Sequence, residues 1–255
     1  MANPRILVTN DDGIEASGLA CLEAFAAELS DDVWVVAPAT EQSGKGHSIS
    51  LGNPLRLRAF GERRFSVDGS PADCVMMGIR HVMVDGGVDL VLSGVNRGAN
   101  LADDVTYSGT VAAAMEGTLL GVRSIAFSQE YRKGEAIQWE TARTHGADVA
   151  RKLLSTDWER GVLMNVNFPP VAAGDVAGVE VCRQGQHNFA DLRPEKRTDP
   201  FGRDYFWTSG WGMDVQETQE GTDLHAVLEG RISVTPIALD MTHDPLLERL
   251  ATVFA

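Results

Sequence analysis

Residues 6–13 (ILVTNDDG) constrain the fold more than any other stretch, because a short apolar run ends there in an amide, two adjacent carboxylates and a glycine. The apolar part is typical of a buried strand bounded by a turn. Asp11 and Asp12 then follow the carboxyl end of this strand, and ligands of open α/β sheets bind at that edge. Two neighbouring negative charges repel each other unless a cation or a proton compensates them. The stretch therefore predicts a strand that ends in a cation site.

The chain continues as alternating strands and helices up to residue 170. A helix is predicted after Ser17, which is placed to cap it, with apolar residues at helical spacing as far as Leu29. The next strand, at 33–37, completes a strand–helix–strand unit of the kind that builds parallel sheets. Ser70 and Pro71 mark another helix start. The remaining predictions are edge strands within 55–67, strands at 88–92, 123–127 and 162–168, and helices at 111–120 and 136–154.

This alternation predicts an α/β fold in which residues 1–170 form a Rossmann-like, doubly wound and mainly parallel sheet. Beyond residue 170, strand-like segments at 178–183, 204–208 and 231–237 are separated by polar loops, with no helix expected between them. Residues 240–255 are expected to form a short amphipathic helix. An aromatic cluster is predicted from Phe201, Tyr205, Phe206, Trp207 and Trp211. Residues 171–255 are therefore predicted to be a β-hairpin arm with a helical tail, which packs on the core and serves oligomerisation within a single domain overall.

Composition narrows the class of protein. The 255 residues carry a net charge of −14, which argues against a protein that binds nucleic-acid duplexes, since such binding depends on cationic contacts to phosphates. The three cysteines, Cys21, Cys74 and Cys182, are far apart and are expected to be reduced thiols of the core. Neither a secretory signal nor an apolar run of membrane-spanning length is apparent in the sequence. A cytoplasmic protein that does not bind membranes is the expectation.

Four oxygen-bearing side chains follow strand ends at the same predicted edge: Asp11, Asp12, Ser43 and Asn96. Oxygen ligands suit hard ions such as Mg²⁺, Mn²⁺ or Ca²⁺. The two carboxylates neutralise a dication, and the two neutral side chains complete its shell. We therefore predict one divalent metal per subunit, Mg²⁺ or Mn²⁺, at a site that also accepts Ca²⁺. Asp11, Asp12 and Asn96 are further predicted to be catalytic.

A phosphate site is predicted beside the metal. Ser108, Gly109 and Thr110 precede a helix, whose free amides and dipole attract anions, and the two hydroxyls add donors. Gly44, in the polar loop at 38–53, is predicted to bind phosphate with them. The same loop contains Lys45 and His47, and whether these residues bind phosphate, act in catalysis or are simply solvated is left open.

The missing motifs favour direct attack by water. A GxSxG sequence, a histidine-based triad and an aspartyl-phosphate motif are all absent. A metal lowers the pKa of a bound water and polarises the phosphoryl group. Asp12 is the better candidate for the residue that orients or deprotonates the water, but the division of roles between Asp11 and Asp12 is not fixed. Tyr107, which can stack on a base, and Asn100 are candidate substrate contacts.

Six segments occur in order along most of the chain: 10–13 (NDDG), 37–44 (APATEQSG), 69–73 (GSPAD), 93–100 (SGVNRGAN), 107–110 (YSGT) and 221–227 (GTDLHAV). Together they closely resemble the survival protein SurE family of nucleotidases. The resemblance implies a metal-dependent phosphatase of nucleoside 5′- and 3′-monophosphates, with short polyphosphate as a further substrate. It also implies a Rossmann-like core, metal ligands at the four positions named above, and a dimer or tetramer that exchanges C-terminal segments.

Two alternatives and one departure accompany this interpretation. A non-catalytic module that senses nucleotides or phosphate, such as a phospho-receiver, also has an acidic pair after its first strand. Such a receiver needs an acceptor aspartate after its third strand, where this chain has Ser93 and Asn96. A metal-dependent glycosyltransferase needs a DxD-type pattern, which the acids meet only in part. Arg231 stands where the family is expected to have an aromatic residue, which concerns packing of the arm and not the metal site.

Overall fold

We analysed a computed structural model of the chain, which describes residues 3–187, 193–209 and 218–255. The strands are β1 (Ile6–Thr9), β2 (Val33–Pro38), β3 (Leu57–Ala59), β4 (Arg64–Val67), β5 (Leu90–Arg97), β6 (Arg123–Gln129), β7 (Val162–Phe168), β8 (Val179–Val181), β9 (Arg193–Thr198), β10 (Asp204–Ser209) and β11 (Ile232–Ala238). The α-helices are α1 (Ser17–Ala26), α2 (Pro71–Met77), α3 (Gly109–Leu119), α4 (Trp139–Leu154), α5 (Asp223–Leu228) and α6 (Asp244–Val253). Shorter helical turns are Gly78–Val82, Ala102–Thr106 and Ala173–Asp175.

Nine of the strands form one twisted sheet in the order β3-β4-β2-β1-β5-β6-β7-β11-β8. The run from β4 to β7 is parallel throughout, while β3 and β11 each pair antiparallel with a neighbour. Helices α1 and α4 pack on one face through Leu22 and Ala142, and α2 and α3 pack on the other through Val75 and Ala113. The predicted doubly wound, mainly parallel α/β fold is therefore confirmed.

The first crossover shows how the sequence fixes this arrangement. In β1, Ile6 and Val8 face the α1 side while Leu7 faces the α2 side, because alternate residues of a strand point to opposite faces. Both faces are covered, so three consecutive residues of the strand, Ile6, Leu7 and Val8, are apolar rather than alternating with polar ones. Gly18 lets α1 approach β5 closely, since a Cβ atom there would lie 1.9 Å from the carbonyl oxygen of Val95.

Three local predictions need correction. Helix α1 begins at Ser17, with Ala16 as its N-cap and no capping side chain, so the predicted cap by Ser17 is wrong. Helix α5 lies between β10 and β11, where no helix was expected; it is only six residues long, too short for a periodic apolar pattern. Strand β5 continues through Arg97, five residues beyond the predicted strand, so the first part of the glycine-rich segment is β-structure and not loop.

The C-terminal third contains both a sheet extension and an exposed arm. Strands β8 and β11 continue the main sheet beyond β7, so the boundary predicted at residue 170 divides a continuous sheet. Strands β9 and β10 form a separate antiparallel hairpin, as predicted for the arm. The rings of Tyr205 and Trp207 pack edge to face at 6.4 Å, whereas Trp211 lies outside the described residues.

The tail helix α6 is exposed along its whole length. None of its residues is buried by the described part of the chain, and its predicted use in oligomerisation stays a prediction. The three cysteines are buried and unpaired, as expected. Within the described ranges, no helix has the length and apolar character needed to cross a membrane.

Candidate functional site

The turn after β1 is built by its own side chains. The Asn10 amide donates to the carbonyl oxygen of Gly13 at 2.9 Å, and the Gly13 N–H donates back to Asn10 Oδ1 at 3.3 Å. Gly13 has φ +100°, a conformation that favours glycine, and a Cβ there would press against Thr40 at 3.3 Å. This closed turn holds Asp11 and Asp12 at the carboxyl edge of the sheet.

Asp11 is buried against the amino terminus of α3. Its side chain is 4% exposed and accepts a hydrogen bond from the Thr110 hydroxyl. Gly109 permits this approach, because a Cβ on that residue would lie 2.7 Å from the Asp11 Cβ. Burial raises the pKa of the Asp11 carboxyl to about 6, against the lowering effect of the Thr110 hydroxyl, and the charge of Asp12 raises it further. A cation in this position would favour the ionised carboxylate.

Asp12 is half-buried beside the end of β5. Its Oδ2 accepts a hydrogen bond of 3.2 Å from the backbone N–H of Arg97. Burial raises the pKa of this carboxyl, and the nearby carboxylate of Glu41 adds to that rise. The edge thus holds two carboxyls, each with a raised pKa, beside a third acidic side chain.

The loop after β2 is tied across the same edge at three points. The Gln42 N–H donates to the Asp11 carbonyl oxygen at 2.8 Å, and the Gly46 N–H donates to the Tyr107 carbonyl oxygen at 3.0 Å. Further along, the Ser50 hydroxyl donates to Asp73 of α2 at 2.8 Å. The structure therefore brings the loop that contains Ser43 to the acidic pair, as predicted.

Ser43 and Asn96 are held by neighbours of their own. The Ser43 hydroxyl donates to Glu41 at 2.9 Å, and the Asn96 side-chain nitrogen donates to the Gly98 carbonyl oxygen at 2.8 Å. Among the residues that the structure describes, no hydrogen bond is made to Asn96 Oδ1, so this oxygen can act as a ligand. No three His, Cys, Asp or Glu side chains in the described ranges are arranged to hold one metal ion.

The predicted phosphate residues form the first turn of α3. Ser108 is its N-cap, and Ser108 Oγ accepts from the Val111 N–H at 3.1 Å. Thr110 uses its hydroxyl on Asp11, so this hydroxyl orients a carboxylate in the structure rather than standing free for phosphate. Gly44 lies in an open part of the loop, where a Cβ would meet nothing within 4 Å.

The other candidates lie around this centre. His47 pairs with Glu116 of α3 at 3.0 Å, while Lys45 is exposed. Tyr107 is 47% exposed, consistent with a contact to substrate. Asn100 is buried, and its side-chain nitrogen donates to Ser128 Oγ at 2.8 Å, which gives it a structural role in joining β5 to β6. Their proposed contacts to substrate stay predictions.

Sequence reasoning missed Glu41 and Arg97, which the structure places beside Asp12. The sequence position of each could have indicated this, because Glu41 is an acid two residues before Ser43 and Arg97 directly follows Asn96. It also missed the bond from Thr110 to Asp11, because nothing in the sequence measures how closely α3 approaches β1.

Thr110, whose hydroxyl donates a hydrogen bond to Asp11, gives a first test of this geometry. Thr110→Val removes the hydroxyl donor but keeps the branched side chain, so the Asp11 pKa should rise further and the carboxylate should lose its orientation. We expect phosphate release from a nucleotide, the activity that the resemblance implies, to fall about 10-fold. This is the size typical of losing the hydrogen-bond partner of a metal ligand, the role predicted for Asp11. Thr110→Ser, which keeps the hydroxyl, should retain most of the activity. Equal activity of the Val and Ser variants would contradict a role for this hydrogen bond.

Comparison with known proteins agrees with the geometry. The family model described as "Survival protein SurE" matches residues 6–191. The 5′-nucleotidase SurE of Methylobacterium radiotolerans is 58% identical over 253 residues, which cover 98% of this chain and 99% of that protein. The 5′-nucleotidase SurE of Methylorubrum extorquens is 56% identical over 252 residues, 98% of this chain and 99% of that protein. The crystal structure of the SurE protein from Aquifex aeolicus superposes with a TM-score of 0.84 at 38% identity and covers 99% of this chain and 100% of that one. The chain therefore belongs to the survival protein SurE family.

Proposed function

We propose that this chain is a 5′-nucleotidase, a phosphomonoesterase that uses a divalent metal and a water molecule to release inorganic phosphate from nucleoside 5′-monophosphates. The relatives named above support the nucleotidase activity. The main observation behind the site assignment is that two adjacent carboxylates lie beside the amino terminus of helix α3. Asp11 and Asp12 lie at the sheet edge, and the first turn of α3 is packed directly on Asp11.

The residues at this edge fit a hard divalent ion. Asp11 and Asp12 would supply two charges, while Ser43 and Asn96 would supply neutral oxygens, a donor set that suits Mg²⁺ or Mn²⁺ and also accepts Ca²⁺. The raised pKa of both carboxyls supports the fit, because burial disfavours their charged forms and a dication would favour them. At Asp12 the charge of Arg97 offsets only part of this rise. When bound, such an ion lowers the pKa of a coordinated water and polarises the phosphoryl group.

The chain's own residues then have separate tasks. Thr110 fixes the orientation of Asp11. The amides at the start of α3 and the Ser108 hydroxyl favour an anionic phosphoryl group through the helix dipole and hydrogen bonding. Asp12 is more accessible than Asp11, and we assign to it the task of accepting the proton from the attacking water. Since all these contacts involve the phosphoryl group, nucleoside 3′-monophosphates and short polyphosphate are further candidate substrates.

The exposed arm supports a homodimer or homotetramer. Large apolar side chains are exposed on the hairpin, including Phe206 and Trp207, each 61% exposed, and on the tail, where Phe254 is 85% exposed. Apolar surface of this extent on one arm is typical of subunit contacts. A cytoplasmic location also remains part of this proposal.

A phosphate-release panel tests the function. Purified protein would be assayed with AMP, GMP, CMP, UMP, 3′-AMP and tripolyphosphate, each with Mg²⁺, Mn²⁺, Ca²⁺ or EDTA. We expect release from 5′-monophosphates with Mg²⁺ or Mn²⁺ and none with EDTA. Activity that survives EDTA would contradict the metal. Tight nucleotide binding by calorimetry without release in any metal would instead support the non-catalytic sensing module.

A further inference from the structure

A cleft of about 330 Å³ opens beside Asp12, the more accessible member of the acidic pair. Its lining combines the charged residues Asp12, Glu41 and Arg97 with the apolar side chains of Ile137 and Trp139, and residues 16–18 at the start of α1 complete it. This volume is at the lower end of the range for small-molecule sites, about 300–1,000 Å³. We propose that this cleft is the nucleoside subsite: the base packs on Trp139 and Arg97, and Glu41 accepts hydrogen bonds from the ribose hydroxyls. The inference rests on the proposed function, and it specifies which residues distinguish a nucleotide from other phosphomonoesters.

The first argument is continuity with the reacting centre. Asp12 belongs both to the predicted metal set and to the lining of the cleft, so a phosphoryl group at Asp12 leaves the rest of the substrate at the mouth of this cavity. The Arg97 backbone N–H donates to the Asp12 carboxylate, which holds the end of β5 against the same point. A substrate that spans both regions would thus be anchored at two ends.

The second argument is the chemistry of the wall. Trp139 begins α4, and its ring lies against α1, where a Cβ on Gly18 would be 3.0 Å from the indole Cη2. The ring is only partly buried, so one part packs on the core while another lines the cleft. Base stacking on an aromatic ring tolerates any base, because every base has a π-face. A guanidinium also stacks on planar groups, and Arg97 already lies 5.6 Å above the Tyr131 ring.

The third argument concerns the sugar. Glu41 lines the cleft close to Asp12 and is exposed. In dinucleotide-binding sheets an acidic side chain accepts a hydrogen bond from a ribose hydroxyl, and Glu41 is placed to act in the same way here. Its bond to Ser43 also holds Glu41 in place from the side of the metal set.

A second cavity near this edge is a weaker candidate. It has a volume of about 200 Å³ and is lined by Leu101, Glu130, Tyr131, Pro170 and Leu224, among others. Neither Asp11 nor Asp12 contributes to it, so it lacks the continuity with the reacting centre that the first cleft has.

The test compares substrates with and without a base. KM would be measured for AMP and for ribose 5-phosphate in the wild-type protein and in Trp139→Leu, which keeps an apolar side chain on the core. We expect KM for AMP to rise about 10-fold relative to KM for ribose 5-phosphate, the size typical of losing one stacked base. Trp158→Leu is the matched control, because Trp158 is also a partly buried tryptophan packed on the same core cluster. The control should leave the ratio of the two KM values unchanged.

Two further variants locate the other contacts. Arg97→Ala keeps the backbone N–H and should also raise the KM ratio. Glu41→Ala should reduce the preference for AMP over 2′-deoxy-AMP. An unchanged ratio in Trp139→Leu, or a Tyr107→Leu variant that alone raises it, would overturn the proposal. Should the wild-type protein release no phosphate from any substrate, the proposed function fails separately. Calorimetry with adenosine alone then decides the subsite, with binding expected in the wild type and lost in Trp139→Leu.

Discussion

Asp11→Asn is expected to reduce phosphate release at least 100-fold while the protein stays folded. Replacing even an outer partner of a metal ligand costs about 10–100-fold, and this change removes the charge of a predicted ligand itself. Asparagine has the same size as aspartate, so the close packing against Gly109 and the contact with Thr110 are kept. The measurement is kcat/KM for AMP at saturating Mn²⁺, with circular dichroism to confirm the fold.

The matched control for this variant is Asp85→Asn. Asp85 is an exposed aspartate in the turn that precedes β5, at the opposite end of the strand from Asn96. The same loss of one negative charge there should change the activity by no more than about twofold, because surface substitutions far from the core and from functional sites have small effects. A folded and fully active Asp11→Asn protein would eliminate the proposed role of this carboxylate.

The site was predictable to the extent that strand ends define it. Asp11 and Asp12 follow a continuous apolar run, and the alternation of strands and helices placed the Ser43 loop and Asn96 at the same edge. These predictions depend only on the rule that the carboxyl ends of parallel strands meet at one edge. The geometry agrees, since Gln42 bonds to Asp11 and Arg97 bonds to Asp12.

What the sequence did not reveal depends on distances between elements. From the sequence, the Thr110 hydroxyl could equally donate a hydrogen bond to phosphate or to Asp11. Only the distance between α3 and β1 decides between the two. Similarly, Asn100 looks like a loop residue open to substrate, whereas β6 places Ser128 within hydrogen-bonding distance of it. Strand β5 was predicted too short because Gly94 and Asn96 are typical of loops; the register with β6 shifts between Ser93 and Asn96 and the strand then continues. Irregular strands of this kind are frequent next to active sites.

The metal-free protein should lose stability as the pH rises from about 4 through about 6. The pKa of Asp11 is raised from 3.8 in the unfolded chain to about 6 in the folded one. The folded state therefore binds more protons than the unfolded state in this pH range. The stability that Asp11 contributes is fully present below the lower pKa and is lost as the pH rises through the upper one. A shift of this size corresponds to about 3 kcal/mol of unfolding free energy.

Asp11→Asn isolates this contribution from every other titrating group. Urea unfolding in EDTA at pH 4 and pH 8 should give similar free energies for both proteins at pH 4, where Asp11 is largely protonated. At pH 8 the variant should be more stable by up to about 3 kcal/mol, since the amide has no charge to bury. Saturating Mn²⁺ should then stabilise the wild-type protein and leave the variant nearly unchanged, because a ligand stabilises only the state that binds it. If the unfolding free energies of the two metal-free proteins differ by the same amount at pH 4 and pH 8, Asp11 is already ionised at pH 4. In that case burial does not raise its pKa, and this argument for a cation at the site fails.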